Sequence, residues 1–228
     1  MQKKQSSKPA QRKPGRNMHV ALTHQVRIIG GIWKRTPLAV LATEGLRPTP
    51  DRVRETVFNW LNHLLDGAWQ NVSCLDLFAG TGALGFEAAS RGAARVLMVE
   101  ANTPAARQLE ATRDKLHADQ VSIVRGDSFS TAQSLAARLG DAHLPDADGR
   151  FEVIFLDPPY HQDWLAKMLP LCGKLLAEGG LVYAESEQAL DGETQPDWLT
   201  GWEVVRADKA GMVFYHLLQR KNRLEIQA

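Results

Sequence analysis

Asp157-Pro158-Pro159-Tyr160 follows the apolar run Phe151-Glu152-Val153-Ile154-Phe155-Leu156, so a buried strand delivers four unusual residues to one edge of a sheet. The two prolines stiffen the backbone and remove amide donors, which leaves carbonyl oxygens and the Asp157 carboxylate as acceptors. Acceptors of this kind suit an exocyclic amine of a nucleobase. Such an amine is a poor nucleophile because its lone pair is delocalised into the ring, so it must be held and aligned with a methyl donor. Asp157 and the Pro158 carbonyl can hold it, and Tyr160 offers a ring face for a base extruded from its helix. The same four residues can instead make a turn and a helix cap, and the glycine loop upstream favours the chemical reading.

That loop is Asp76-Leu77-Phe78-Ala79-Gly80-Thr81-Gly82-Ala83-Leu84-Gly85, between the strand from Val72 to Phe78 and a helix. Gly80 and Gly82 let the turn approach a nucleoside closely, and Gly85 permits tight packing of helix on strand. The spacing fits G-x-G-x-x-G, which also describes dinucleotide sites, so the loop names a nucleoside ligand and not a reaction. Glu100 ends the next strand, where an acid either binds two ribose hydroxyls or caps a helix; its distance from the loop favours ribose. Asp127, after the third strand, can accept from an adenine amine or cap the helix behind it. Asp76 can orient the loop or meet the ammonium of a methionine moiety. A carboxylate there resists an anionic pyrophosphate, which tilts the ligand toward S-adenosylmethionine.

The elements that position these residues alternate. Strands are expected at 72 to 78, 95 to 100, 121 to 125, 151 to 157 and 180 to 185, with helices at about 82 to 91, 104 to 117, 128 to 139 and 162 to 176. This pattern predicts an α/β fold with a mainly parallel sheet covered on both faces. Trp202 to Arg206 and Val213 to Leu218 read as an antiparallel hairpin closing the sheet. Upstream, Val26 to Trp33 and Leu38 to Leu41 predict a small hairpin, and Thr49 or Asp51 is placed to cap a helix from Asp51 to Leu65 with an apolar stripe. The polar stretch Gly140 to Arg150 reads as a loop.

A chain of 228 residues can bury one α/β core and a small appendage. No apolar run spans a bilayer and the N-terminus lacks a signal-peptide core, so a cytoplasmic, membrane-free protein is expected. The two cysteines and seven histidines form no metal-ligand spacing, and no metal is expected. Of 27 basic residues, 9 lie in residues 1–35 with no acid, leaving 18 against 26 acidic residues in the remainder. The basic arm reads as a disordered tail over residues 1–24 that attracts a polyanion, nucleic acid above all.

Three separated motifs, Arg27-Ile28-Ile29-Gly30-Gly31, Leu46-Arg47-Pro48-Thr49-Pro50-Asp51-Arg52-Val53-Arg54-Glu55 and Leu75 to Gly82, occur in an order that resembles the RsmD family. The resemblance runs from about residue 25 to the C-terminus. It implies a Rossmann-like class I methyltransferase fold over residues 69–228, with residues 25–68 as an N-terminal hairpin and helix extension. It implies transfer of a methyl group from S-adenosylmethionine to a guanine N2 of 16S ribosomal RNA, with that RNA or the small ribosomal subunit as partner and a monomer as the expected state. Carried onto this sequence, the family pattern puts Arg47, Thr49, Asp76, Phe78, Gly80 and Gly82 near the methionine end of the cofactor, with Glu100 on ribose and Asp127 beside adenine. Asp157, Pro158 and Tyr160 would hold the guanine, and Arg27, Trp33, Lys34 and Arg35 would face RNA. Tyr160 stands where Phe is more frequent in the family, and Asp-Pro-Pro-Tyr is also familiar from adenine-N6 methyltransferases. Adenine-N6 transfer, a nicotinamide oxidoreductase and a non-catalytic RNA-binding assembly factor are the competing readings.

Overall fold

The computed structural model describes residues 25–40, 49–139, 149–160, 162–192 and 195–221. The basic tail, Arg47 and most of the stretch from Gly140 to Arg150 lie outside these residues. Two short strands, β1 (Gln25–Arg27) and β2 (Pro37–Ala39), pair antiparallel and precede helix α1 (Asp51–Leu64). The alternation then runs β3 (Ser73–Asp76), α2 (Ala83–Ser90), β4 (Arg95–Glu100), α3 (Thr103–Leu116), β5 (Val121–Arg125), α4 (Ser128–Leu139), β6 (Phe151–Leu156), α5 (Trp164–Leu175) and β7 (Leu176–Ser186). The hairpin of β8 (Trp202–Ala210) and β9 (Val213–Arg220) follows.

The main sheet has seven strands in the order β5-β4-β3-β6-β7-β9-β8, parallel from β5 through β7 and antiparallel at β9. The chain travels outward from β3 to β5 and returns to β6 at the other side of β3. That reversal opens a crevice at the carboxyl ends of β3 and β6, where open α/β sheets bind ligands. The alternation of side chains along β6 serves two cores: Val153 and Phe155 join the cluster under α1, α2 and α3, while Ile154 and Leu156 join the cluster under α4 and α5.

The first hairpin is shorter than the apolar pattern predicts, because Ile28 to Thr36 leave the strand and turn over α2. Gly31 makes the turn possible: its φ is +71°, and a Cβ there would lie 1.8 Å from the Ser90 carbonyl oxygen. Beneath it, the fully buried Glu87 carboxylate accepts from the backbone N–H of Ile29 (2.6 Å) and Gly30 (2.8 Å) and from Arg91 Nε (2.8 Å). Arg54 of α1 is buried as well, with Nη1 4.0 Å from Glu87, and it donates to the Arg27 carbonyl (2.9 Å) and to Asp51 Oδ1 (2.6 Å). The predicted caps of α1 are corrected here: Pro50 occupies the N-cap without a side-chain bond, Asp51 pairs with Arg27 and Arg54, and the Thr49 hydroxyl is drawn to the site below.

Removing one member of a buried ion network strands the other, at a cost of about 3–5 kcal/mol. Glu87→Ala is therefore expected to lower the urea unfolding free energy by about that amount. A loss below about 1 kcal/mol would show that the segment docks by apolar packing alone.

Candidate active site

The loop after β3 enters α2 through two left-handed glycines, Gly80 (φ +51°) and Gly82 (φ +77°). A Cβ on Gly82 would come 2.6 Å from side chains of Leu109 and Phe86, and one on Gly85 would come 2.5 Å from Met98, so both glycines let α2 close onto its neighbours. Asp76 sits beneath the loop and does not wall the cavity. Its Oδ2 accepts from the Gly85 N–H at 3.2 Å, while Oδ1 is buried with no hydrogen-bond partner among the described residues. Burial pushes the Asp76 carboxyl up to about 7, against the pull of the Phe78 and Gly85 N–H groups.

Glu100, at the tip of β4, accepts from the N–H of Gly80 (2.7 Å) and of Asn102 (2.6 Å). It pins the loop to the next strand and still faces the cavity, so its two oxygens keep lone pairs for hydroxyl donors. Asp127 also borders the cavity, and it caps α4 by accepting from the Ser130 N–H at 2.8 Å, which together with the Ser130 hydroxyl holds its carboxyl below the usual range. The two uses foreseen for Asp127 are compatible, since a carboxylate has further lone pairs. Phe78 packs edge-on against Trp164 at 5.2 Å, and both rings line the same space.

That space is a cavity of about 910 Å³ running from the glycine loop to the end of β6. At its far end stand Asp157, Pro158 and Tyr160 as the sequence predicts, joined by Thr49 and by Glu185 of β7. The Thr49 hydroxyl lies 3.0 Å from Asp157 Oδ2 and 2.9 Å from Glu185 Oε1, and the Tyr183 hydroxyl donates to Glu185 Oε1 at 2.7 Å. Burial first, and then the charge of Glu185, push the Asp157 carboxyl well up. Burial pushes Glu185 up too, against hydrogen bonds from Tyr183 and Thr49. Burial thus favours the neutral form of both acids, and the charge of Glu185 adds to that at Asp157.

Thr49 thus joins the Asp157 end of the cavity, between two acids. Glu185 was not foreseen, although an acid at the carboxyl end of a strand flanking β6 obeys the rule that singled out Glu100. The turn from Ala210 to Val213, at the tip of the last hairpin, also lines the cavity, a placement no local pattern announces. Of the residues expected to face RNA, Lys34 and Arg35 are exposed in the turn over α2. Arg27 is exposed but paired with Asp51 at 2.9 Å, and Trp33 is half-buried, its ring against the core and its backbone N–H donating to Ser90 Oγ. Among the described residues no group of acids, histidines and cysteines could hold a metal ion, and no helix is long and apolar enough to cross a membrane.

A family model described as conserved hypothetical protein 95 matches residues 26–219. The chain is similar to ribosomal RNA small subunit methyltransferase D of Escherichia coli strain K12, 38% identical over 206 residues, covering 90% of this chain and 94% of that one. The solved structure of Escherichia coli yhhF superposes with a TM-score of 0.67 at 34% identity, covering 87% of this chain and 99% of the other. An RNA methyltransferase of Salinibacter ruber, solved with S-adenosyl-L-homocysteine, shares the fold at TM-score 0.51 and 18% identity over 75% of this chain and 92% of its own.

Asp76 carries a pH signature. A carboxyl whose folded value is raised from 3.8 to about 7 adds stability that is complete below the unfolded value and lost as pH rises through the folded one. Asp76→Asn cannot ionise. In the ligand-free protein, its unfolding free energy relative to wild type should rise by about 1.4 kcal/mol per pH unit between roughly pH 5 and 7 and level off above. A difference independent of pH would contradict the raised titration.

Proposed function

The chain belongs to the RsmD family, and on that premise we propose that it transfers a methyl group from S-adenosylmethionine to the N2 amine of a guanine in small-subunit 16S ribosomal RNA. One observation carries the reading: a strand tip of acceptors, Asp157 and Pro158, shares a cavity with a glycine loop and its acidic partner Glu100. Bound there, S-adenosylmethionine supplies an electrophilic methyl group on a sulfonium.

The chain's residues fit that cofactor. Glu100 suits the ribose hydroxyls and Asp127 the adenine amine, and by family pattern the ammonium lies toward Asp76, whose partnerless Oδ1 sits beneath the loop. Phe78, Gly80 and Gly82 give the loop its close approach, and Arg47 belongs to the same end by family pattern. At the other end Tyr160 stacks the extruded base, while the Pro158 carbonyl and Asp157 orient its amine toward the methyl carbon. The amine nitrogen gains the methyl carbon and sheds one proton, and the electron pair of the broken carbon–sulfur bond stays on sulfur. Asp157 takes up that proton in its ionised form, which the sulfonium and ammonium of the bound cofactor favour. Lys34 and Arg35 in the turn over α2, with Trp33 before them and Arg27 beside Asp51, give the RNA backbone a basic approach. We place the reaction in the cytoplasm, with the enzyme acting as a monomer on ribosomal RNA or the small subunit.

The test is incubation with labelled cofactor and ribosomal particles from cells lacking the protein, followed by nucleoside analysis and mapping. Label is expected in N2-methylguanosine at one position of 16S RNA, and Asp157→Ala should lower kcat by roughly 100-fold or more. Label in N6-methyladenosine, or an Asp157→Ala enzyme of full activity, would overturn the reading.

A further inference from the structure

The proposed reaction uses Asp157 and leaves Glu185 unexplained, although Glu185 lines the same end of the cavity and is only 4% exposed. An acid in that position has a high desolvation cost unless something needs it. Its supports are hydroxyls, not cations. Thr49 has a single hydroxyl hydrogen within reach of two acids and can donate it to one at a time, and Tyr183 donates to Glu185. Two carboxyl groups therefore line this end of the cavity with only two hydroxyl donors to share, fewer than their four oxygens can accept. A ligand that completes this site must bring donors, two of them, side by side.

Guanine does so on its Watson–Crick edge, where N1–H adjoins the 2-amine. Adenine places the lone pair of N1 beside its amine, and that lone pair would meet the second acid with no hydrogen between. Resting on the guanine reading above, we propose that Glu185 selects the target base by accepting the N1–H of guanine while Asp157 accepts the 2-amine. Thr49 and Tyr183 hold the Glu185 carboxylate for that purpose, both acting on Oε1. A site built to accept a donor rejects an analogue that offers a lone pair instead, because buried polar groups are then left unmatched. The pairing also explains why Thr49, and not an apolar residue, is carried between the two acids by the chain before α1.

The discriminating substrate is 2-aminopurine, which keeps the 2-amine and has a bare N1. Small subunits reconstituted with 2-aminopurine at the mapped guanine are compared with normal ones by kcat/KM. The wild-type protein should prefer guanine by roughly tenfold or more, as expected for one hydrogen bond to a charged group. In Glu185→Gln, Tyr183 and Thr49 should keep the amide oxygen in the Oε1 place and turn the NH₂ toward the base. That NH₂ opposes N1–H and suits a bare N1, so the preference should fall by about tenfold or invert. The intrinsic difference in reactivity between the two bases cancels when the two proteins are compared.

A Glu185→Gln enzyme that binds S-adenosyl-L-homocysteine and keeps the wild-type preference would overturn the proposal. If that variant does not fold, Glu185→Ala is compared with the wild type in the same way: a preference that falls by about tenfold supports the assignment and an unchanged one overturns it. Failure of the function itself looks different, since the wild-type protein would then leave guanine unlabelled.

Discussion

Two buried charges, Arg54 and Glu87, tie the N-terminal segment to the sheet domain, and the geometry of the site hangs on that tie. A guanidinium with no exposed surface cannot remain unpaired, so α1 must lie where Glu87 of α2 can reach it. The same arginine donates to the carbonyl of Arg27 and, at 3.4 Å, to that of Thr49. Backbone on both sides of the extension is thereby fixed to one side chain. Thr49 is in turn the residue whose hydroxyl stands between Asp157 and Glu185. A continuous set of polar contacts thus leads from the middle of α2, the helix that the glycine loop begins, to the acids at the opposite end of the cavity.

The acids themselves form a second pattern. Asp76, Asp157 and Glu185 are buried around one crevice, and Asp157 is raised by the charges of both others as well as by burial. In the free protein such a group holds extra protons. On the proposed reading the cofactor enters carrying a sulfonium and an ammonium, which relieve the mutual repulsion that the acids suffer alone. Charge that is costly in the free protein then becomes a source of affinity for a cation and of discrimination against an anionic dinucleotide. A nicotinamide dinucleotide, whose pyrophosphate is anionic, meets the opposite condition although the glycine spacing fits both.

The parallel sheet, its helices and the closing hairpin were legible because each depends on local periodicity: the β6 run, the glycine turn and the strand pair at the C-terminus carry their signals within a few residues. That Asp157, Tyr160, Glu100 and Gly80 border one cavity was legible for the same reason, since each follows the end of a strand. What the sequence hid depends on tertiary juxtaposition. Thr49 reads as a helix cap, since Ser, Thr and Asp before an apolar stripe favour that role, but Pro50 takes the N-cap position and the Thr49 hydroxyl donates to acids from distant strands. Glu185 was invisible within its own strand, because Leu181 to Ser186 are all buried and only the neighbour across the sheet gives the acid a use. The turn after β1 was read as strand because Ile28, Ile29 and Ile32 are apolar, yet Gly31 bends the chain onto Ser90 and leaves Ile32 at the surface.

The separation in sequence of the groups that meet at Thr49 bears on how the molecule comes into being. Thr49 reaches Asp157 across 108 residues and Glu185 across 136, and the Ile29–Glu87 bond spans 58. During synthesis the first hairpin therefore waits for α2 before it can dock, and the acid pair cannot assemble until β7 has left the ribosome's exit tunnel. The glycine loop and the acid that pins it, Glu100, lie 20 residues apart, whereas the Thr49 end of the cavity needs segments from both halves of the chain. A chain that ends before β7 therefore lacks Glu185 and the contact it gives Thr49, while Glu100 and the glycine loop it holds are already within it.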